Sequence, residues 1–257
     1  MLHRNIRKLL SASLLVLSGS ILGSSQGNQP TIKYTASRGE NVICLGEVNT
    51  AREAAGLPNF GEASGDGQLS DPGTSELQPD TEWRKLCEYL IPTQTEPAKA
   101  ASAAKPFEQG IYAFKSLTTA EPNCKEAVDY WKSAFKNFSG LPPSKSQAGQ
   151  LYNSQDNVSF VALYNPSSDA TADCRVITCT KTTTTGGSEQ QSDPQESKEY
   201  GYGMICKTIP TAFTNNDSVP FTQDQWDRII SSLTGSASVA IPGFGVFLLA
   251  VFSLTAL

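Results

Sequence analysis

Six cysteines, Cys44, Cys87, Cys124, Cys174, Cys179 and Cys206, constrain what this chain can fold into more than any other feature. Their number is even and no CxxC pair occurs, which speaks against a zinc site. In an oxidising compartment they read as three disulfides. Six cysteines allow 15 pairings, and sequence alone does not choose among them. One pairing is excluded. Cys174 and Cys179 share the strand-like segment CRVITCTK, where an extended backbone carries their Cα atoms well past the roughly 7 Å a disulfide tolerates. One of the two, with Cys179 favoured, is expected to pair across to Cys206.

Oxidised sulfur requires export, and both ends of the chain carry export features. Arg4, Arg7 and Lys8 precede the uncharged apolar run Leu9–Leu22, and Gly23, Ser24 and Ser25 follow it. This is the layout of a secretory signal peptide, with cleavage expected near Ser25. The apolar run is short against the roughly 20 residues of a membrane span. At the other end, Val239–Leu257 is apolar or small throughout, with no Lys or Arg behind it. Pro242, Gly243 and Gly245 disfavour a stable helix there. A cluster of small residues lies upstream, and small residues followed by a terminal apolar tail form the signal for a glycosylphosphatidylinositol (GPI) anchor. Gly235, Ser232 and Ser231 are the candidate attachment residues; a tail-anchored span is the competing reading. The expected organisation is a signal peptide over 1–25, one domain over 26–235 and a GPI-attachment propeptide over 236–257, with the mature chain on the outer leaflet of the plasma membrane.

Loss of the signal would remove Arg4, Arg7 and Lys8, leaving 17 basic against 25 acidic residues and a net charge of −8. Such a balance argues against nucleic acid and against docking on anionic lipid by charge. The one histidine is His3, inside the signal. The mature chain therefore lacks the imidazole needed for Ser-His-Asp or Cys-His catalysis and for His-ligated zinc. Glu47, Glu53 and Glu88 remain as carboxylates, but nothing in their spacing pairs them. No catalytic residue, metal site or cofactor is expected.

Apolar periodicity predicts a helix over Glu40–Gly56 and another over Glu82–Leu90, capped by Asp80 or Thr81. Between them Asn59–Pro79, rich in Gly, Ser, Asp and Pro, reads as a loop. Thr93–Lys105 reads as a connector, and Glu108–Leu117 as a short helix or strand. Asn123 caps a helix running to about Phe138, with Val128, Trp131, Phe135 and Phe138 as its inner stripe. The apolar run Val158–Tyr164 reads as a strand, as do Cys174–Lys181 and Tyr200–Ile209. Thr182–Glu199 is polar and of low complexity, a long hairpin loop. Gln223–Leu233 is a final helix with Trp226, Ile229, Ile230 and Leu233 inward. Helices, then strands, then a helix imply an α+β or layered α/β/α sandwich, with a small antiparallel sheet flanked by helices. Asn137, Asn157 and Asn216 lie in Asn-x-Ser sequons and are candidate N-glycosylation sites.

Val48-Asn49-Thr50-Ala51-Arg52-Glu53-Ala54-Ala55-Gly56-Leu57-Pro58 resembles the first-helix motif of the CAP superfamily, the group of cysteine-rich secretory and pathogenesis-related proteins. Trp83–Cys87, Ala127–Trp131, Phe160–Tyr164, Cys174–Cys179 and Tyr202–Cys206 resemble further segments of that fold, together spread over about 40–210. The metal cleft of the superfamily does not carry over: Val48 stands at the first histidine position, no histidine is left for the second, and Lys132–Phe135 supplies no glutamate. The segments CLGEVNTAREAAGLPNF and WRKLCEYL, the six cysteines and the two apolar ends together resemble the surface antigen (SAG) family of Eimeria. That resemblance implies a CAP-like domain with three disulfides, displayed by GPI, non-enzymatic, and engaged in host-cell attachment or immune interaction. The membrane, through the lipid anchor, and a host-cell surface ligand are then the expected partners, with Asn59–Pro79 and Thr182–Glu199 as natural contact loops. A CAP-like lipid- or sterol-binding surface protein is the alternative.

Overall fold

The computed structural model describes residues 30–93, 112–185 and 195–235. The signal and tail segments, most of the 93–105 connector and the middle of the polar hairpin lie outside the described residues. Along the chain the elements are β1 (Thr31–Arg38), α1 (Leu45–Ala54), β2 (Gly61–Glu62), α2 (Glu82–Leu90), β3 (Tyr112–Leu117), α3 (Cys124–Ser133), α4 (Gln155–Leu163), β4 (Thr171–Thr185), β5 (Gln195–Ile209) and α5 (Gln223–Thr234).

The spine of the molecule is the antiparallel pair β4–β5, in register from Thr171 opposite Ile209 to Thr185 opposite Gln195. Its threonines, valine, isoleucines and tyrosines are residues that suit a pleated surface. The sheet order is β1-β4-β5-β3, and β2 adds a two-residue parallel contact to β4. Alternation along the strands sends side chains to two different cores. Ala172, Cys174, Met204 and Cys206 join Ala113 on the face covered by α1, α3, α4 and α5. Ile177, Cys179 and Ile205 join Tyr34, Ala36, Tyr112 and Phe114 on the opposite face, where α2 and the loop after β2 lie. The described residues thus form an antiparallel sheet with helices on both sides.

Local chemistry sets the helix ends. The Thr81 hydroxyl accepts from the Arg84 amide at 3.3 Å, so α2 begins where the sequence places it. The Asn123 side chain accepts from the Glu126 amide at 3.2 Å and starts α3, whose last turn tightens to a 3₁₀ turn over Ala134–Asn137. Thr222 and Gln225 form a capping box at α5. α1 starts at Leu45 rather than at Glu40. The residues before it are bound to the sheet: the Ile43 amide donates to Cys174 O at 3.0 Å, and the Arg175 guanidinium donates to Glu40 O. Cys44, at φ 60°, turns the chain into the helix.

Three sequence expectations need correction. Val158–Tyr164 is not a strand; Val158–Leu163 lies in α4 and Tyr164 ends that helix. Val158, Phe160, Val161, Ala162 and Leu163 are all buried, because this helix is enclosed by β3, α3 and α5, so it shows no polar face and its apolar run mimics a buried strand. The hairpin loop is shorter than Thr182–Glu199, since strand pairing continues through Thr185 and resumes at Gln195. The favoured Cys179–Cys206 bridge does not form. Register places Cys174 directly opposite Cys206, with Cα atoms 3.9 Å apart, and these two are bridged. Cys179, an odd number of residues further on, faces the other way and bridges Cys87 of α2. The third disulfide, Cys44–Cys124, ties the start of α1 to that of α3. β1 is a strand for which the sequence pattern sets no expectation.

Candidate functional site: a braced surface loop and a closed core

The loop 59–80 is held to the sheet at several points. Asn49 of α1 makes two bonds to Phe60, donating to its carbonyl at 3.1 Å and accepting its amide at 2.8 Å. Asp173 of β4, fully buried, accepts the Leu69 amide at 2.7 Å on one carboxylate oxygen and the Arg175 guanidinium at 2.5 Å on the other. The Arg38 guanidinium donates to Leu69 O, and the Lys207 ammonium donates to Gln68 O at 2.9 Å and Asp66 O at 3.3 Å. Tyr34 O takes the Leu77 amide at 2.8 Å. Phe60, Ala63, Leu69 and Leu77 are buried beneath these contacts. What the loop presents outward is the crest Asp71–Glu76, where Asp71 accepts the Gly73 amide and Glu76 pairs with Lys33 at 3.4 Å.

A second exposed feature is the end of the β4–β5 hairpin. Gln195–Tyr200 are all exposed, and the Tyr200 ring is 56% accessible. Across the pair Lys181, itself 5% exposed, reaches Glu199 at 2.7 Å.

The α1 segment Val48–Pro58 has a structural purpose. Arg52 is completely buried, stacked 3.5 Å from the centre of the Phe60 ring. It donates to Pro58 O and Leu163 O, both at 2.9 Å, and so joins α1, the following turn and the end of α4. Burial lowers its pKa to about 10. Gly56, at φ +65°, gives the left-handed turn after the helix.

Chemistry-bearing groups are dispersed. Glu47 and Glu53 sit on α1 and Glu88 on α2, which covers the opposite face. Glu88 is paired with Arg84 at 2.6 Å, and Glu53 accepts from Asn59 at 2.6 Å. Among the described residues no group of three His, Cys, Asp or Glu is arranged to hold a metal. Val48 is 2% exposed in the apolar core. With Phe60, Trp131, Leu163 and the Cys174–Cys206 bridge it surrounds a cavity of only about 10 Å³, where drug-sized ligands occupy roughly 300–1,000 Å³. The aromatic residues a lipid cavity would need pack on each other instead. Phe138, Phe160, Tyr164 and Trp226 are linked by ring centroids 5.1–6.0 Å apart.

The sequons and anchor candidates fall in different settings. Asn137 and Asn216 are exposed. Asn157 is buried within α4; its amide nitrogen donates to Leu151 O at 2.8 Å and its oxygen accepts from Asn137 at 2.7 Å. Ser231 and Ser232 lie in the last turn of α5, and Gly235 caps it at φ 65°. Among the described residues no helix is long and apolar enough to cross a membrane.

Fold and surface define a disulfide-stapled α/β domain with a closed core and a braced, outward-facing loop. The model of the sporozoite surface antigen (SAG) protein domain matches residues 40–248, and the chain belongs to that family. It is 28% identical over 236 residues to the sporulated oocyst TA4 antigen of Eimeria tenella, covering 83% of this chain and 87% of that protein. No solved structure matches. The family is one of surface antigens of coccidian parasites, which implies a cell-surface location.

Proposed function

We propose that the protein is a non-enzymatic antigen, held on the outer leaflet by a GPI anchor added at Gly235, Ser232 or Ser231, and that it serves host-cell attachment or immune interaction. Residues 1–25 act as the cleaved signal, 26–235 as a CAP-like layered domain and 236–257 as the propeptide exchanged for lipid. Asn137 and Asn216 are the sequons open to glycosylation.

The observation that carries this reading is the bracing of loop 59–80. A solvated spacer has no need of a buried Asp173–Arg175 pair and a lysine spanning two of its carbonyls. Holding the crest Asp71–Glu76 in one shape reduces the ordering cost of contact with a partner. Two experiments test the proposal. Phosphatidylinositol-specific phospholipase C on intact cells should release the protein; retention by an anchor shown to be cleavable on other proteins of the same cells counts against GPI. The protein should bind host cells, and replacing Asp71–Glu76 by an unrelated sequence of equal length should abolish that binding. Unchanged binding removes the crest from the contact surface.

A further inference from the structure

The edges of the sheet are unequally protected. On the outer side of β3, α3 and α4 occupy the backbone. Gln155 donates to Tyr112 O at 2.8 Å, the Phe114 amide donates to the Ser159 hydroxyl at 3.0 Å, and Trp131 donates to Phe114 O at 2.8 Å. On β1, Tyr34 O is taken by Leu77. β3 flanks β5 only from Tyr202 to Lys207. From Gln195 to Gly201, β5 has β4 on one side and no strand on the other among the described residues. A bare edge of this kind is a template for strand addition.

The direction of its free groups can be derived. Phe114 turns its N–H and C=O away from β5, so the residue opposite it, Ile205, turns its own away from β3. Even-numbered residues of β5 therefore point their backbone groups to the β3 side. For Glu196, Lys198 and Tyr200 that side is the open edge. The Thr185 hydroxyl donation to Gln195 O agrees, since it places an odd-numbered carbonyl on the β4 side.

We propose that this edge pairs with the same edge of a second copy of the chain, antiparallel, about a two-fold axis through Ser197. A two-fold axis relating antiparallel edges stands perpendicular to the sheet, so residues opposite each other share a face and differ by an even number. Centred on Ser197, Glu196 lies opposite Lys198 of the partner subunit, and Lys198 opposite the partner's Glu196. These are hydrogen-bonded pairs, with backbone groups aimed at the junction and side chains of opposite charge adjacent. The neighbouring registers fail. Centring on residue 196 sets Glu196 against its own copy, and centring on 198 does the same to Lys198. Charges on an edge ordinarily deter strand addition, but their alternation here is matched by an antiparallel copy. Both side chains are exposed, and Glu199 on the other face is already engaged with Lys181.

The test uses the full chain with its disulfides oxidised, in detergent, followed by sedimentation across a concentration series. A concentration-dependent dimer is expected. Lys198→Glu and Glu196→Lys should each weaken it about tenfold or more, because each turns two attractive pairs into repulsive ones. The double variant E196K/K198E should restore it. Ser197→Cys should give a covalent dimer on mild oxidation, and Ser75→Cys on the loop crest should not. A monomer at all concentrations overturns the proposal. So does a dimer indifferent to the single changes or not rescued by the double one, or equal cross-linking through Ser75→Cys.

Discussion

On one face of the sheet, Trp131, Phe160, Trp226 and Ile229 arrive on α3, α4 and α5 and meet Ala172 and Met204 in an aromatic core. On the other face, among the described residues, one helix, α2, and a loop cover Tyr34, Ile177 and Ile205. The first cover is held chiefly by area, the hydrophobic effect acting without direction, with the Cys44–Cys124 bridge and a few buried bonds such as Trp131 to Phe114 O added to it. The second has less helix, and its loop carries backbone groups that need partners. It is held by directed bonds from Asp173, Arg38, Lys207 and Tyr34, and by the Cys87–Cys179 bridge. A loop can be as well fixed as a helix layer where its buried carbonyls and amides find partners, charged at Leu69 and Gln68 and neutral at Leu77 and Phe60.

Each cover has a substitution that loosens it alone or first. Trp131→Ala removes a fully buried ring and its bond to Phe114 O, and should cost about 3–5 kcal/mol, seen as a lower denaturation midpoint for the whole domain. Asp173→Ala should cost a similar or slightly smaller amount, about 3–4 kcal/mol, because it strands the buried Arg175 charge. Its signature differs: hydrogen exchange should rise first at Leu69 and its neighbours, while amides of α3 and α4 stay protected.

Tyr34 sharpens the contrast through pH. It is fully buried and its pKa is pushed up to about 12, chiefly by that burial and then by Glu88. A phenol raised in the folded state stabilises it fully below the unfolded value near 10 and loses that contribution as pH climbs through the folded value. About 2–3 kcal/mol should disappear between pH 10 and 12. Tyr34→Phe should flatten that part of the stability curve, and Tyr152 and Tyr164 on the other face, also raised by burial, should leave a residual slope.

A smaller effect concerns how closely α2 approaches. A β-carbon on Gly201 would lie 2.7 Å from Ile91 and 2.9 Å from Leu90, and one on Gly203 2.9 Å from the Phe114 ring. Gly201→Ala should cost about 1–3 kcal/mol by thermal denaturation. Smallest of all, Thr81→Ala and Asn123→Ala each remove one cap and should cost about 1 kcal/mol. Equal losses would show that both helices depend on their ends alike, whichever cover they belong to.

Much of this was legible in the residues. α2 matched to the residue because its apolar spacing and its cap agreed, and α5 was equally clear from Trp226 and Ile229. α4 was not, since a helix enclosed on every side has no polar face to betray its period. The disulfides depended on register, which neither cysteine spacing nor strand propensity specifies. One signal was available. Gly201 and Gly203 alternate on the face of Ile205, marking where a helix would press on β5, and Cys179 opposite Gly201 shares that face. The bracing of loop 59–80 was illegible, because Asp173 and Arg175 sit within a strand and read there as ordinary polar positions.

The three bridges also decide how the molecule responds to tension. Their spans interleave: 44 to 124 overlaps 87 to 179, which overlaps 174 to 206. A pull on the two ends can peel β1 from one side and α5 from the other, but between Cys44 and Cys206 the bridges shorten the covalent path, and the chain cannot be drawn out to full length. A domain worked at a surface under shear would stretch at its margins and recoil, with its middle kept as a closed loop of covalent bonds.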